Sequence, residues 1–329
     1  MSGAGAKVLL GLSGGVDSSV AALLLRERGY EVIAAAMTIG LATDAQTLAA
    51  ARAAAAQLGI PFLPIDLAAD YRREVLEDFR ACWLFGLTPN PCVRCNERVK
   101  FGLFPAAARA AGADFSFLAT GHYARTTPDG RLFAARDAMK DQSYFLYRVP
   151  RETLAHTLLP LGEMTKDEVR AAALAHGLAA AERADSQDFC AGAARDVVGA
   201  ADRPGAIVDE RGRALGEHLG HWRYTVGQRR GLGVGGGTPL YVVRIDAARN
   251  EVVVGPRTAA AKRAFPFRDR VGDFEGTCRI KVRSTARPVP GRVEGDHCAL
   301  DEDVVGVAPG QSAVWYAANG EVLGGGIIG

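Results

Sequence analysis

The sequence predicts a parallel α/β domain that carries a phosphate-binding turn near its start, followed by two smaller β-rich regions. Three observations predict it. Strand and helix patterns alternate through the amino-terminal part, an early apolar run passes through two glycines into a helical pattern, and from about Gly205 short β-rich segments between Gly, Asp and Asn turns replace the alternation. The first strand is the apolar run 8–12, and SGGVDSS (13–19) follows it, with a helical pattern from Asp17 to Gly29. Residues 31–37 read as a second strand, and the Ala-rich run 44–58 as a helix broken by Gly59, Ile60 and Pro61. A third strand over 62–67, a helix over 71–85, a Pro-, Asn- and Cys-rich loop over 86–96, a helix over 97–111 and a strand over 115–120 come next. This order implies a parallel sheet with helices on both faces and ligands beyond the carboxyl ends of its strands, where the glycine turn, Met37, Gly121 and His122 fall. Thr165 to Glu168 reads as a capping box whose helix Gly177 ends. Segments 206–208, 240–245, 251–254, 277–283 and 312–316 read as short strands. Domains 1–203, 204–264 and 265–329 follow from those shifts in character.

The SGGVDSS turn is an anion site in physical terms. Gly14 and Gly15 let backbone approach a ligand closely, and the first amides of the following helix have no intrahelical acceptor and point outward. No Lys follows the glycines, which excludes a Walker loop. The pattern looks like the pyrophosphate loop of enzymes that split ATP into AMP and pyrophosphate; the plainer reading is a glycine turn with Asp17 as helix cap.

Bulk composition excludes several classes. The chain has 329 residues, 48% hydrophobic and 23% charged, as expected for globular domains that each bury a core. No apolar run reaches membrane-spanning length and the first residues lack a secretory apolar region, so a cytoplasmic protein with no membrane partner is expected. The net charge of +2 is unevenly spread. Residues 211–230 hold five arginines against one acid, and residues 261–292 nine Lys or Arg against three acids, which suits a phosphate backbone or a solvated basic face.

Six cysteines in a chain this long do not make a disulfide scaffold. Cys92 and Cys95 form a CxxC beside Arg94 just before a helix, a setting that favours thiolate, and Cys190 closes a polar loop in the same domain. CxxC is shared by zinc, redox and iron–sulfur sites, and no second pair completes a zinc tetrad. Cys82, Cys278 and Cys298 read as core residues, and His156, His176 and His221 as surface or packing residues.

With these residues in place, the chain resembles the bacterial tRNA-specific 2-thiouridylases (MnmA/TrmU family), as a CxxC variant. The resemblance rests on GLSGGVDS from Gly11, TPNP from Thr88 with Cys95-Asn96 and Lys100-Phe101, ATGHY from Ala119, and KDQSYFL from Lys140. YTVGQRRGLG from Tyr224, PGQSA from Pro309 and GGGII from Gly324 extend it to the carboxyl end. It implies an adenine nucleotide alpha hydrolase-like pyrophosphate-loop domain and two small β-rich domains, the last a tRNA-binding β-barrel. It implies ATP with Mg2+ held by Gly11, Leu12, Ser13, Gly14, Gly15, Val16, Asp17 and Ser18, with Met37 and Gly121 near the adenosine. Asn90, Pro91 and Cys92 would face the target base, and His122, Lys140, Asp141, Gln142, Arg283, Ser284 and Gln311 would touch tRNA. Cys190 corresponds to a persulfide-bearing cysteine and Cys95 to its resolving thiol, with a cysteine desulfurase or sulfur-relay protein as donor. The implied reaction is 2-thiolation of a wobble uridine that leaves its stack, through adenylation of the C2 oxygen with AMP and pyrophosphate released.

The chain departs from the family pattern in two ways, and the first keeps an alternative open. Members using a persulfide often carry Asp where this chain has Cys92; three thiolates at Cys92, Cys95 and Cys190 would also suit a 4Fe-4S cluster with one open iron. The stretch after Met37 and residues 191–204 are short for the family, and Ser186 to Cys190 replaces its glycine-containing loop. Rival classes are another pyrophosphate-loop ATP-dependent synthetase, which needs no loop cysteines, and a non-catalytic RNA-binding module, which leaves SGGVDSS without use.

Overall fold

The computed structural model describes residues 5–181, 197–235 and 237–329. Close packing groups the chain into two units, one of residues 1–75, 92–190 and 320–322 and the other of residues 76–91, 191–319 and 323–329.

The first unit is built on a sheet of order β3-β2-β1-β4-β7, every pairing parallel. Its strands are β1 (Lys7–Gly11), β2 (Glu31–Thr38), β3 (Phe62–Asp66), β4 (Phe117–Ala119) and β7 (Thr157–Leu158). Continuous apolar runs such as Val8, Leu9 and Leu10, all fully buried, are what a sheet covered on both faces requires. Helices α1 (Val16–Glu27), α2 (Asp44–Leu58) and α8 (Lys166–Ala175) supply Val20, Ala21, Leu25, Ala51, Ala55, Val169 and Ala173 to the core against it. The many alanines permit close helix–sheet approach. The chain leaves β1 toward β2 and β3 and returns as β4 on the other side of β1, so strand order reverses between β1 and β4 and a crevice opens beyond their carboxyl ends.

The second unit holds a four-stranded sheet, in which β10 (Tyr241–Asp246), β11 (Glu251–Gly255), β8 (Gly205–Asp209) and β9 (Ala214–His218) lie in that order. It also holds a closed six-stranded barrel, ordered β12 (Ala261–Val271), β15 (His297–Val305), β14 (Val289–Glu294), β13 (Gly276–Lys281), β16 (Ser312–Tyr316) and β17 (Val322–Ile328). In the barrel Trp315 is fully buried and meets Phe267 edge-on at 5.0 Å, among Ile280, Val293 and Cys298. The expected parallel α/β fold with β-rich parts and a terminal barrel is therefore present.

Local differences have physical causes. Residues 86–96 are not one loop: helix α5 (Pro91–Arg94) runs straight into a π-helical stretch, Cys95–Leu103, and then α6 (Phe104–Ala110), so both cysteines lie on helix. Asn90 before Pro91 is a helix-start signal, with proline at the position whose amide would lack an acceptor anyway. The helix expected at 71–85 begins earlier, at Ala68, and passes through another π-helical stretch, Arg72–Leu76, into α4 (Glu77–Leu84). The strand expected at 277–283 spans Gly276–Lys281 and ends before Arg283. Cys278 and Cys298 are buried in the barrel, whereas Cys82 is half-buried.

Candidate nucleotide and base-modification site

The glycine turn forms at the reversal point between β1 and β4. Gly14 adopts φ +74°, and a Cβ there would lie 2.4 Å from the Ala50 carbonyl carbon, so only glycine fits between the turn and α2. Gly15, not Asp17, is the residue that caps α1, in extended conformation and without a side-chain cap. Serines brace the turn instead. Ser18 Oγ accepts from the Ser13 amide at 3.2 Å and lies 3.1 Å from Ser13 Oγ, while Ser19 Oγ donates to Gly15 O at 2.9 Å. Across the crevice Gly121 follows β4, and a Cβ there would stand 3.0 Å from the Ser18 amide nitrogen. Any side chain at 121 would cover the amino-terminal turn of α1, the place where an anion binds best.

Asp17 points into a cluster that the sequence reading missed. Its Oδ1 accepts from Tyr123 Oη at 2.8 Å and from Lys166 Nζ at 2.7 Å. Lys166 is the first residue of α8, only 8% exposed, and its ammonium lies 6.0 Å from the Tyr123 ring centroid. The turn that lacks a lysine of its own thus acquires one from a helix 149 residues downstream. The capping box is complete: Glu168 N donates to Thr165 Oγ1 at 3.2 Å and Thr165 N to Glu168 Oε2 at 2.8 Å. Asp137 adds a further anchor by accepting from Lys166 N at 2.9 Å, and that bond leads the causes holding its carboxyl below the usual range.

The other expected residues of this unit fall as follows. Met37 lies near the carboxyl end of β2, where the chain turns through Ile39, Gly40 and Leu41, whose amides all donate to Asp44 Oδ2 at 2.9, 2.7 and 3.1 Å. Gln142 and Tyr123 exchange bonds, Tyr123 N to Gln142 Oε1 at 2.9 Å and Gln142 N to Tyr123 O at 2.8 Å. Asp141 accepts from the amides of Ala135 and Ser143 and from Ser143 Oγ, and Lys140 is half-buried beside it. His122 is buried, with Nδ1 2.7 Å from Thr120 Oγ1 and its ring 5.9 Å from that of Phe101. Burial first, then the Lys100 charge, pushes its imidazole well below the ordinary histidine range. It is therefore neutral at pH 7 and brings no positive charge to an RNA phosphate.

Cys92 and Cys95 sit three residues apart on helix, hence on one face, Cys95 buried and Cys92 half-buried. Arg94 between them donates to Glu74 O at 2.5 Å. Next to Cys95, Asn96 is 2% exposed; its Nδ2 donates to Phe145 O at 3.3 Å and its Oδ1 has no hydrogen-bond partner among the described residues. Cys190 lies outside the described residues, so its distance from Cys95 does too. Among the described residues no cluster of three or more His, Cys, Asp or Glu is arranged to hold a metal ion.

In the second unit Asn90 and Pro91 end the 76–91 segment, and Arg283, Ser284 and Gln311 belong to the barrel and its loops. Arg283 Nε donates to Gly306 O at 2.8 Å and its Nη2 to Val226 O at 2.7 Å. Gln311 Nε2 donates to Thr88 O and Pro89 O, both at 3.1 Å. These side chains are engaged with backbone, which their sequence context gives no sign of.

Three family models cover nearly the whole chain: a tRNA methyl transferase HUP domain over residues 6–192, a tRNA methyl transferase PRC-barrel domain over 197–256, and an aminomethyltransferase beta-barrel domain over 264–328. A tRNA-specific 2-thiouridylase MnmA of Endomicrobium trichonymphae is 40% identical over 98% of this chain and 98% of its own length. Proteins of the same name from Geotalea uraniireducens (strain Rf4) and Methylorubrum extorquens (strain PA1) are 42% and 44% identical over 98% of this chain and 94% and 93% of theirs. The chain belongs to the MnmA family of tRNA-specific 2-thiouridylases. The MnmA alignments run over 358 to 361 positions against a chain of 329 residues, so these relatives carry residues that this member lacks. No helix among the described residues is long and apolar enough to cross a membrane.

Proposed function

We propose that this protein is an ATP-dependent tRNA-uridine 2-sulfurtransferase that thiolates the wobble uridine. The observation that carries the reading is the glycine turn at Ser13 to Ser18, kept open by Gly121, in a chain whose relatives are named for tRNA 2-thiolation. The residues suit ATP. Gly14 admits no Cβ and Gly121 only a crowded one, hydroxyls brace the turn, a helix start faces the crevice, and Asp17 with Lys166 places both charge signs beside it. Mg2+ would arrive with ATP and offset phosphate charge. Met37 and Gly121 would border the adenosine.

The chemistry follows from the poor leaving ability of a uracil C2 oxygen. That oxygen attacks the α-phosphorus of ATP and pyrophosphate leaves, so the oxygen becomes part of a good leaving group. The terminal sulfur of a Cys190 persulfide attacks C2, and AMP departs with the oxygen. Cys95 thiolate then attacks the Cys190 sulfur and the persulfide S–S bond breaks, its electron pair staying on the sulfur now bonded to C2. A Cys95–Cys190 disulfide remains, and an external thiol reductant returns it to two thiols. Asn90, Pro91 and Cys92 would face the flipped base, and His122, Lys140, Asp141, Gln142, Arg283 and Ser284 would meet the RNA. A cysteine desulfurase or sulfur-relay protein would recharge Cys190.

The test is mass spectrometry of tRNA nucleosides after reaction with ATP and a persulfide donor. Wild type is expected to yield 2-thiouridine and Cys190→Ser none. Thiolation by Cys190→Ser removes Cys190 from the mechanism. Iron in anaerobically purified protein, lost together with activity on Cys92→Ala, replaces the persulfide with a 4Fe-4S cluster on Cys92, Cys95 and Cys190.

A further inference from the structure

We propose that Gln311 is a positioning residue: with Pro309, Gly310 and Thr225 it clamps the Thr88–Asn90 loop in a fixed conformation before any RNA arrives. This deepens the base-modification reading and rests on it for the loop's role, while the clamp itself is a property of the second unit alone. All its members belong to that unit.

The loop has Pro89 at its centre and Pro91 just beyond it, and so has few amides with which to hold itself. Its bonds come from outside. Thr88 N donates to Pro309 O at 2.8 Å, and Thr88 Oγ1 bonds Thr225 Oγ1. Both hydrogens of Gln311 Nε2 go to the consecutive carbonyls of Thr88 and Pro89, at 3.1 Å each. Two carbonyl acceptors fix which end of the amide faces the loop, since a flipped amide would set oxygen against oxygen. Gly310, at φ +91°, lies so close that a Cβ would sit 3.0 Å from Leu87 Cβ and 3.0 Å from Thr88 N.

The support continues behind the first contacts. Thr225 is held by its amide donating to Gln228 Oε1 at 3.1 Å. The next carbonyl, Val226 O, accepts from Arg283 Nη2, while Gly227 is pressed so near Gly306 that a Cβ would lie 2.6 Å from its Cα. Upstream of the loop, His221 Nε2 stands 3.0 Å from Leu84 O at the end of α4. The PGQS and YTVGQ motifs thus meet on one short loop, which runs into Cys92 three residues after Pro89. A side chain with both donors consumed by protein carbonyls is built to hold that loop.

The test measures hydrogen exchange of amides 87–92 in tRNA-free, full-length protein, with tRNA affinity and thiolation rate measured in parallel. Gln311→Ala removes two bonds and is expected to speed exchange of the Thr88 amide about tenfold, as loss of ordinary hydrogen bonds does. Gln311→Glu, which sets a carboxylate against two carbonyls, is expected to exceed it. Amides of β16 (Ser312–Tyr316) should keep wild-type protection in both variants, separating loop release from unfolding. The thiolation kcat should fall about tenfold with tRNA Kd within about twofold, the split expected when pre-organisation rather than binding is lost. Wild-type exchange in both tRNA-free variants, with a weakened Kd alone, overturns the clamp and makes Gln311 an RNA contact. Failure of wild type to thiolate tRNA refutes the function but leaves the exchange result standing.

Discussion

At the scale of the residue, the pyrophosphate turn separates what a sequence discloses from what only folding assembles. SGGVDSS was legible because its glycines, hydroxyls and helix start lie within seven consecutive positions. Lys166 was not, because its partner Asp17 is 149 residues away and its sequence context advertises only a helix cap. Lys166→Met is expected to lower kcat/KM for ATP by about tenfold or more, read from pyrophosphate release, because the turn loses its neighbouring cation. Its effect on stability should be no more than about 1 kcal/mol, since the Asp17 side chain is 34% exposed and water partly replaces the lost partner. His122 makes a pH prediction. Its folded-state pKa lies well below the unfolded value of 6.5, so below pH 6.5 the unfolded chain binds a proton that the folded chain refuses. Stability should fall with pH there, by at most about 1.4 kcal/mol per unit from this one site. Thermal unfolding between pH 5 and 8 checks it, and His122→Leu should flatten the profile.

At the scale of the element, signals survived where one local interaction decides the outcome. Thr165 and Glu168 announced α8, and both halves of the box are formed. Thr165→Ala should cost about 1 kcal/mol, seen as a lower midpoint in thermal unfolding. It should also loosen Lys166, so ATP-dependent turnover should fall more than stability alone explains. Several barrel strands hid themselves because they carry residues that normally break strands. β14 (Val289–Glu294) contains Pro290 and Gly291, and a Cβ at Gly291 would stand 2.3 Å from Ala299 O on β15 (His297–Val305). β17 (Val322–Ile328) contains three consecutive glycines, and a Cβ at Gly326 would lie 2.5 Å from the Phe267 ring. These glycines are demanded by close approach in a small barrel, a tertiary fact with no local signature. The Cys92–Cys95 segment misled in the opposite way. Its Pro and Asn suggested a loop, but Asn90-Pro91 starts a helix, and the π-helical stretch beyond it turns Cys95 and Asn96 inward.

At the scale of the whole molecule, the order of strand and helix was enough to read a parallel sheet and its carboxyl-end crevice, because alternation and covered strands leave few other arrangements. Charge alone left the basic runs open between an RNA backbone and a solvated face, and only packing shows that Arg283 turns its Nε and Nη2 to the carbonyls of Gly306 and Val226. A cleft of about 540 Å³ opens at the amino-terminal strand ends, lined by Lys7, Arg26 and Tyr30, on the edge of the sheet opposite the glycine turn. The chemistry is expected at the carboxyl edge. One measurement bears on it most directly: counting pyrophosphate and AMP against 2-thiouridine in a single turnover of persulfide-loaded enzyme with unmodified tRNA. Adenylation on the glycine turn predicts one pyrophosphate and one AMP per thiolated uridine, and no pyrophosphate without tRNA. Thiolation that proceeds without ATP cleavage, or cleavage that releases ADP, would contradict it.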